Sequence, residues 1–164
     1  ADPLFPVIGF PKPKLHKEVP AHAPHYDHII IDGPPRVNEL ARSAIMSADC
    51  VVIPVQPSPY DVWAAKEIVD LVGEASTYNE NIKSAFVINR KIVNTAIGRD
   101  VAEALASHDI PVLATHIGQR VAFAESAGSG STVLEEDPTS LASREVMALA
   151  EELLGHVMKT EAAA

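Results

Sequence analysis

Short β-branched apolar runs, each stopped by Gly, Pro or Asn and each followed by helical spacing, constrain this chain more than any other feature. Ile29-Ile30-Ile31 ends at Asp32-Gly33-Pro34-Pro35. Cys50-Val51-Val52-Ile53 ends at Pro54 and Pro57, and Ala85-Phe86-Val87-Ile88 ends at Asn89-Arg90. Continuous apolar runs of this length read as buried strands, because a strand covered on both faces shows no polar alternation. Residues 37–47, 61–72 and 95–106 place apolar side chains at helical spacing, with Asp61 as the expected N-cap of the second helix. A shorter fourth run, Pro111-Val112-Leu113-Ala114, is the expected last strand. Residues 121–127 read as a helix, 132–134 as extended chain, and 139–158 as a long final helix. Strands alternating with helices across short loops predict an α/β fold, a mostly parallel sheet with helices on both faces.

The opening segment differs. Pro3, Pro6, Pro11, Pro13, Pro20 and Pro24 make residues 1–25 mostly irregular by expectation, with room for a short strand near 4–8 and a helical turn near 15–19. Length and composition bound the rest. At 164 residues the expectation is one α/β domain over 1–164. A hydrophobic share of 47% and a charged share of 21% exclude disorder as the main state. The net charge of −9 disfavours diffuse attraction to nucleic acid or anionic lipid, although a local basic patch is compatible with it. Aromatics at 5% argue against a base-stacking platform. The single cysteine, Cys50, excludes an internal disulfide and fits a reducing compartment. No apolar run reaches the length of a membrane span.

In open parallel sheets, ligands bind outside the carboxyl ends of the strands. That rule selects Asp32-Gly33-Pro34-Pro35, Pro54-Val55-Gln56-Pro57, Asn89-Arg90-Lys91 and the stretch from Thr115 to Arg120. Asp32 at a strand end is either a Walker B carboxylate acting on Mg²⁺ through water or an ordinary strand-end Asp. Asn89-Arg90 is either a turn or an amide that reads an adenine edge. Arg120 is either a solvated charge or a phosphate contact. The 128–132 stretch, Gly-Ser-Gly-Ser-Thr, is not a phosphate loop, because no strand precedes it and no Lys accompanies it. His22, His25 and His28 have ligand-like spacing, but Pro24 breaks any helix that would align them for zinc.

Taken in order, four segments resemble the ParA family of partition ATPases, in the ParA/MinD group of deviant-Walker proteins and closest to its short, ParF-like type. They are Tyr-Asp-His-Ile-Ile-Ile-Asp-Gly-Pro-Pro (26–35), Ala-Asp-Cys-Val-Val-Ile-Pro-Val-Gln-Pro-Ser-Pro-Tyr-Asp (48–61), Phe-Val-Ile-Asn-Arg-Lys (86–91) and Gln-Arg-Val-Ala-Phe-Ala-Glu-Ser (119–126). The resemblance implies a P-loop NTPase-like fold and binding of ATP and Mg²⁺. It also implies a homodimer formed around two nucleotides, non-specific DNA binding and a centromere-binding partner that stimulates hydrolysis. A cytoplasmic, nucleoid-associated setting follows, with no membrane contact. By resemblance Asp32 is the catalytic and metal-linked carboxylate, and Gly33 and Pro34 belong to the switch loop. Asn89 is the adenine contact with Arg90 beside it. Pro54, Gln56 and Pro57 lie near the base or the dimer face, and Arg120 lies near nucleotide or DNA.

The chain departs from the family in one respect. Its 164 residues contain no K-G-G-x-G-K-T loop and no following Asp-x-Asp-Pro strand end. The resemblance therefore implies that the fold is incomplete at the N-terminus, with the phosphate cradle outside this sequence. The chain alone is then expected not to hydrolyse ATP. Two alternatives stay open: a loop-less pseudo-ATPase that binds partners, and another MinD-like regulatory ATPase.

Overall fold

A computed structural model describes residues 4–34, 36–92 and 96–158, without the side chains of 96–100 and 158. Seven α-helices and two strands are present among them. In chain order they are α1 Leu15–His22, α2 Glu39–Ile45, β1 Cys50–Val55, α3 Pro59–Ser76, β2 Lys83–Ile88, α4 Ala96–Leu105, α5 Val121–Gly128, α6 Val133–Glu136 and α7 Leu141–Met158. A 3-10 turn, Ala23–His25, follows α1. The chain divides into two compact units. The first runs to Val51 and includes Glu67–Lys83; the second is Val52–Lys66 with everything from Ser84 onward.

The first unit is helical. Ala41 and Ile45 of α2 pack with Leu71, Val72 and Ala75 of α3, flanked by Val51, Ile68 and Ile82. Asn38 caps α2 through its side-chain oxygen, which accepts from the Ala41 amide at 2.9 Å. His16 of α1 meets the buried Ser43 of α2, Nδ1 to Oγ at 2.9 Å. The expected turn near 15–19 is thus a full helix to His22, with Pro20 inside it.

Two expected strands do not form in this unit. Residues 4–8 and 28–34 are extended or irregular, and no β-pairing reaches them among the described residues. Ile30 is 93% exposed. The physical reason is cooperative: an apolar run becomes a strand only where a neighbouring backbone takes up its N–H and C=O groups.

The sheet pairs β1 with β2. The Lys83 amide donates to the Asp49 carbonyl and the Asn89 amide to the Val55 carbonyl, both at 2.9 Å, a constant offset that makes β1 and β2 parallel. β1 runs through Pro54 to Val55 rather than stopping before it. Residues 49 and 55 face β2, so Pro54, of opposite parity, turns its donor-less nitrogen to the edge of β1 that has no partner strand among the described residues, where proline is tolerated. Only Ile53 and Val55 of β1 are buried, while Val52 and Pro54 are exposed. β1 is therefore covered on one face, not on both as expected.

β2 is the centre of the core. Ala85 and Val87 pack with Leu113 and with Leu149 and Leu153 of α7. Phe86 and Ile88 point the other way and are equally buried, with the His108 ring 5.9 Å from that of Phe86. The fourth expected strand is reduced to parallel bridges, Phe86 with Val112 and Lys91 with Gly118. Between the bridges this segment carries one residue more than β2 does, so it bulges at Ala114-Thr115.

Two end effects also differ from the sequence reading. Ser58, not Asp61, caps α3: its Oγ accepts from the Tyr60 amide at 3.3 Å, and Pro59 takes the first helical position. Asp61 instead accepts the Gln56 amide at 3.1 Å. Residues 133–136 form α6 rather than extended chain, because Thr132 and Glu135 make a reciprocal capping box.

Candidate functional site

The carboxyl ends of β1, β2 and the bridged segment lie side by side in the second unit. The Asn89 amide bonds the last residue of β1, which sets Asn89 beside Gln56. The Lys91 amide donates to the Ile117 carbonyl, and the Gln119 amide returns to Lys91, which brings Arg120 to the same rim. Of the residues expected at the site, Gln56, Asn89, Arg90 and Arg120 therefore share one end of one sheet.

Asn89 is half-buried, and its Oδ1 accepts the Arg90 amide at 2.9 Å. The side chain is thereby held with its Nδ2 donor turned away from its own backbone. Arg90 has φ of +53°, a left-handed conformation that non-glycine residues seldom adopt. That kink ends the strand and leaves the Arg90 side chain exposed. Pro54 and Gln56 are exposed, and Pro57 is half-buried in the loop to α3.

Arg120 is not a free surface charge. Its Nε donates to Glu145 Oε2 at 3.0 Å and its Nη2 to Oε1 at 2.5 Å, a bidentate pair. The same Oε2 accepts the Gly118 amide at 3.1 Å. The arginine holds the Glu145 carboxyl below its usual range, against the opposing effect of burial. A Cβ added to Gly118 would lie 3.0 Å from Arg120 Nη2 and 3.2 Å from Cζ, so the guanidinium rests on this glycine. Two turns further along α7, Glu152 accepts the Ala114 and Thr115 amides at 2.7 and 2.8 Å. Burial raises the Glu152 carboxyl, and these hydrogen bonds outweigh it and lower it. Glu152 thus satisfies the two amides that the bulge takes out of the ladder.

Sequence reasoning missed Glu145 and Glu152, and took in Gly118 only as part of the stretch from Thr115 to Arg120. The available signal was weak. Glu145, Leu149, Glu152 and Leu153 fall on one stripe of α7, where the apolar pair marks the packed face. Carboxylates on such a stripe have to find donors.

Asp32, Gly33 and Pro34 lie in the first unit. Asp32 is exposed, and no hydrogen bond or ion pair reaches its carboxylate among the described residues. A Cβ on Gly33 would meet nothing within 4 Å, and Pro34 is half-buried. Pro35 lies outside the described residues. The donor set fits the base end of a nucleotide through Asn89. It does not fit the triphosphate, because no backbone cradle accompanies Asp32 in this sequence. A cleft of about 400 Å³ between α5 and α6, lined by Glu125, Ser126, Ser129 and Glu136 among others, contains none of the expected site residues.

The AAA domain family (AAA_31) matches residues 8–86. Among known proteins, the chain is 26% identical to the maintenance of carboxysome distribution protein A of Halothiobacillus neapolitanus over 82% of its length and 63% of that protein. It is 26% identical to the chromosome-partitioning ATPase Soj of Thermus thermophilus, over 82% of this chain and 55% of Soj. Among solved structures, the cell division ATPase MinD of Pyrococcus furiosus superimposes with a TM-score of 0.72 at 20% identity, over 88% of this chain and 59% of MinD. MinD of Aquifex aeolicus gives 0.66 at 19% identity. These matches bear out the α/β, P-loop NTPase-type fold and the ParA/MinD resemblance. The chain spans less than two thirds of the length of each of these relatives.

Proposed function

We propose, on the premise that the chain is a relative of the ParA/MinD-type partition ATPases, that it acts in an ATP-driven partition or positioning cycle. In this reading it pairs with a second copy around ATP and Mg²⁺ and binds DNA non-specifically. It moves cargo with a centromere-binding partner, in the nucleoid region of the cytoplasm. The observation that carries the reading is the rim that sets Gln56, Asn89 and Arg120 at the ends of adjoining sheet segments. Asn89 offers Nδ2 to a base edge, while its Oδ1 is steadied by the Arg90 amide. Arg90, Pro54, Gln56 and Pro57 border the base or the dimer face. Arg120 contacts a phosphate. Asp32 would hold Mg²⁺ through water, with Gly33 and Pro34 as the switch beside it, once a phosphate cradle completes the site. Magnesium, when bound, supplies charge neutralisation at the γ-phosphate.

The chain alone does not hydrolyse ATP in this reading, because its sequence contains no lysine-bearing phosphate loop. The test is equilibrium binding of a fluorescent ATP analogue with Mg²⁺, followed by a phosphate-release assay. Binding that fails to saturate at millimolar nucleotide, with the residual signal lost in Asn89→Ala, is expected. Micromolar saturation, or Mg²⁺-dependent phosphate release lost in Asp32→Ala, would show that the rim is a complete site by itself.

A further inference from the structure

We propose that Glu145 is a positioning residue for Arg120, holding the guanidinium so that its remaining edge meets a phosphate oxygen. The inference rests on the reading of Arg120 as an anion contact. Arginine carries five N–H donors in one plane and can present two edges. Glu145 occupies one edge, through Nε and Nη2. The other edge, formed by Nη1 and the second Nη2 hydrogen, is not used by that pair. The Arg120 side chain is 25% exposed.

Three features hold the group in place. Gly118 lies beneath it, where a side chain would displace it. The Gly118 amide donates to the same carboxylate oxygen that Arg120 Nε uses, which locks backbone, carboxylate and guanidinium together. Glu145 is itself anchored on α7, a helix of 18 residues. A long, flexible side chain fixed in this way loses little further freedom when it binds an anion. Fastening α7 to the sheet does not require this pair, because Glu152 already does so through two backbone amides. Glu152 is the internal control: it restrains the same segment without touching Arg120.

The shared chemistry is a phosphate oxygen, from a DNA backbone or from a nucleotide. Two arms separate them: anisotropy with a short DNA duplex across a salt series, and titration with ATP. The Arg120 Nε–H resonance is followed in both. Arg120→Ala is expected to abolish binding in one arm, which names the source. Glu145→Gln is expected to weaken that binding about tenfold, the size of one well-placed charged hydrogen bond, and to broaden the Nε–H signal by faster exchange. Glu152→Gln is expected to lower the thermal midpoint and leave anion affinity unchanged. Far-UV circular dichroism and Glu145→Asp, which keeps the charge, guard against simple misfolding. Unchanged or tighter binding in Glu145→Gln, with Arg120→Ala still defective, overturns the positioning role and leaves the anion contact standing. No binding by the wild type in either arm, or no effect of Arg120→Ala, overturns the anion contact and this inference with it.

Discussion

Asp32 and Arg120 are the two most distinctive polar residues of the sequence, and their surroundings are opposites. Asp32 sits on an extended segment without β-pairing among the described residues, its carboxylate exposed. Arg120 sits on a segment bridged to β2, over a glycine, with its guanidinium paired to Glu145 of α7. A motif residue is preorganised only when its backbone is paired and its side chain has fixed neighbours. Catalytic geometry needs both.

The contrast can be broken by mutation. Phe86 is fully buried, so Phe86→Ala should cost about 3–5 kcal/mol in urea denaturation. Ile30→Ala, on the unpaired segment, should stay within about 0.5 kcal/mol. A loss at Ile30 comparable to that at Phe86 would mean that the segment is packed in solution and that the contrast is false.

Acid sharpens the same contrast in the second unit. Glu145 and Glu152 both have folded values below the ordinary carboxylate range. A depressed carboxylate contributes stability that is complete above its unfolded pKa and is lost as pH falls through the folded one. Unfolding free energy should therefore decline on acidification below the ordinary carboxylate range. Glu152→Ala should remove about 1–2 kcal/mol at neutral pH and flatten that decline, because it leaves two amides without their acceptor. An acid profile identical to wild type would show that the two hydrogen bonds contribute nothing.

Gly118→Ala should cost about 1 kcal/mol through crowding of the pinned guanidinium, whereas Gly33→Ala has open space and should not. A double-mutant cycle with Arg120→Ala should recover most of that cost. The smallest effect belongs to the Arg42–Glu74 pair, whose side chains are about half exposed. Arg42→Ala should cost less than about 1 kcal/mol, and less again in high salt. A large, salt-insensitive loss there would make the first unit as tightly organised as the second.

Much of this was legible in the primary structure. The run at 85–88 and its flanking Asn89-Arg90 read correctly as a buried strand and its end, since side chains apolar on both faces admit few other environments. The helices at 39–45, 59–76, 96–105, 121–128 and 141–158 followed from spacing, with boundaries set by caps such as Asn38 and Ser58. The failures share a cause. Ile29–Ile31 has the composition of a strand, yet composition does not supply a neighbouring backbone. Residues 111–119 have the partner but not the regular register, because the extra residue at Ala114-Thr115 diverts two amides to Glu152.

The sequence by itself determined the alternation of strand and helix, and with it the α/β class and the rim on which Asn89 and Arg120 sit. Period and turn residues are local properties, carried within a few positions along the chain. Only the tertiary structure decided which apolar runs are paired, that Pro54 faces the edge of β1 that has no partner strand among the described residues, and that Glu145 holds Arg120. Each of these depends on a group 25 or more residues away in the chain, where local sequence carries no information about the partner.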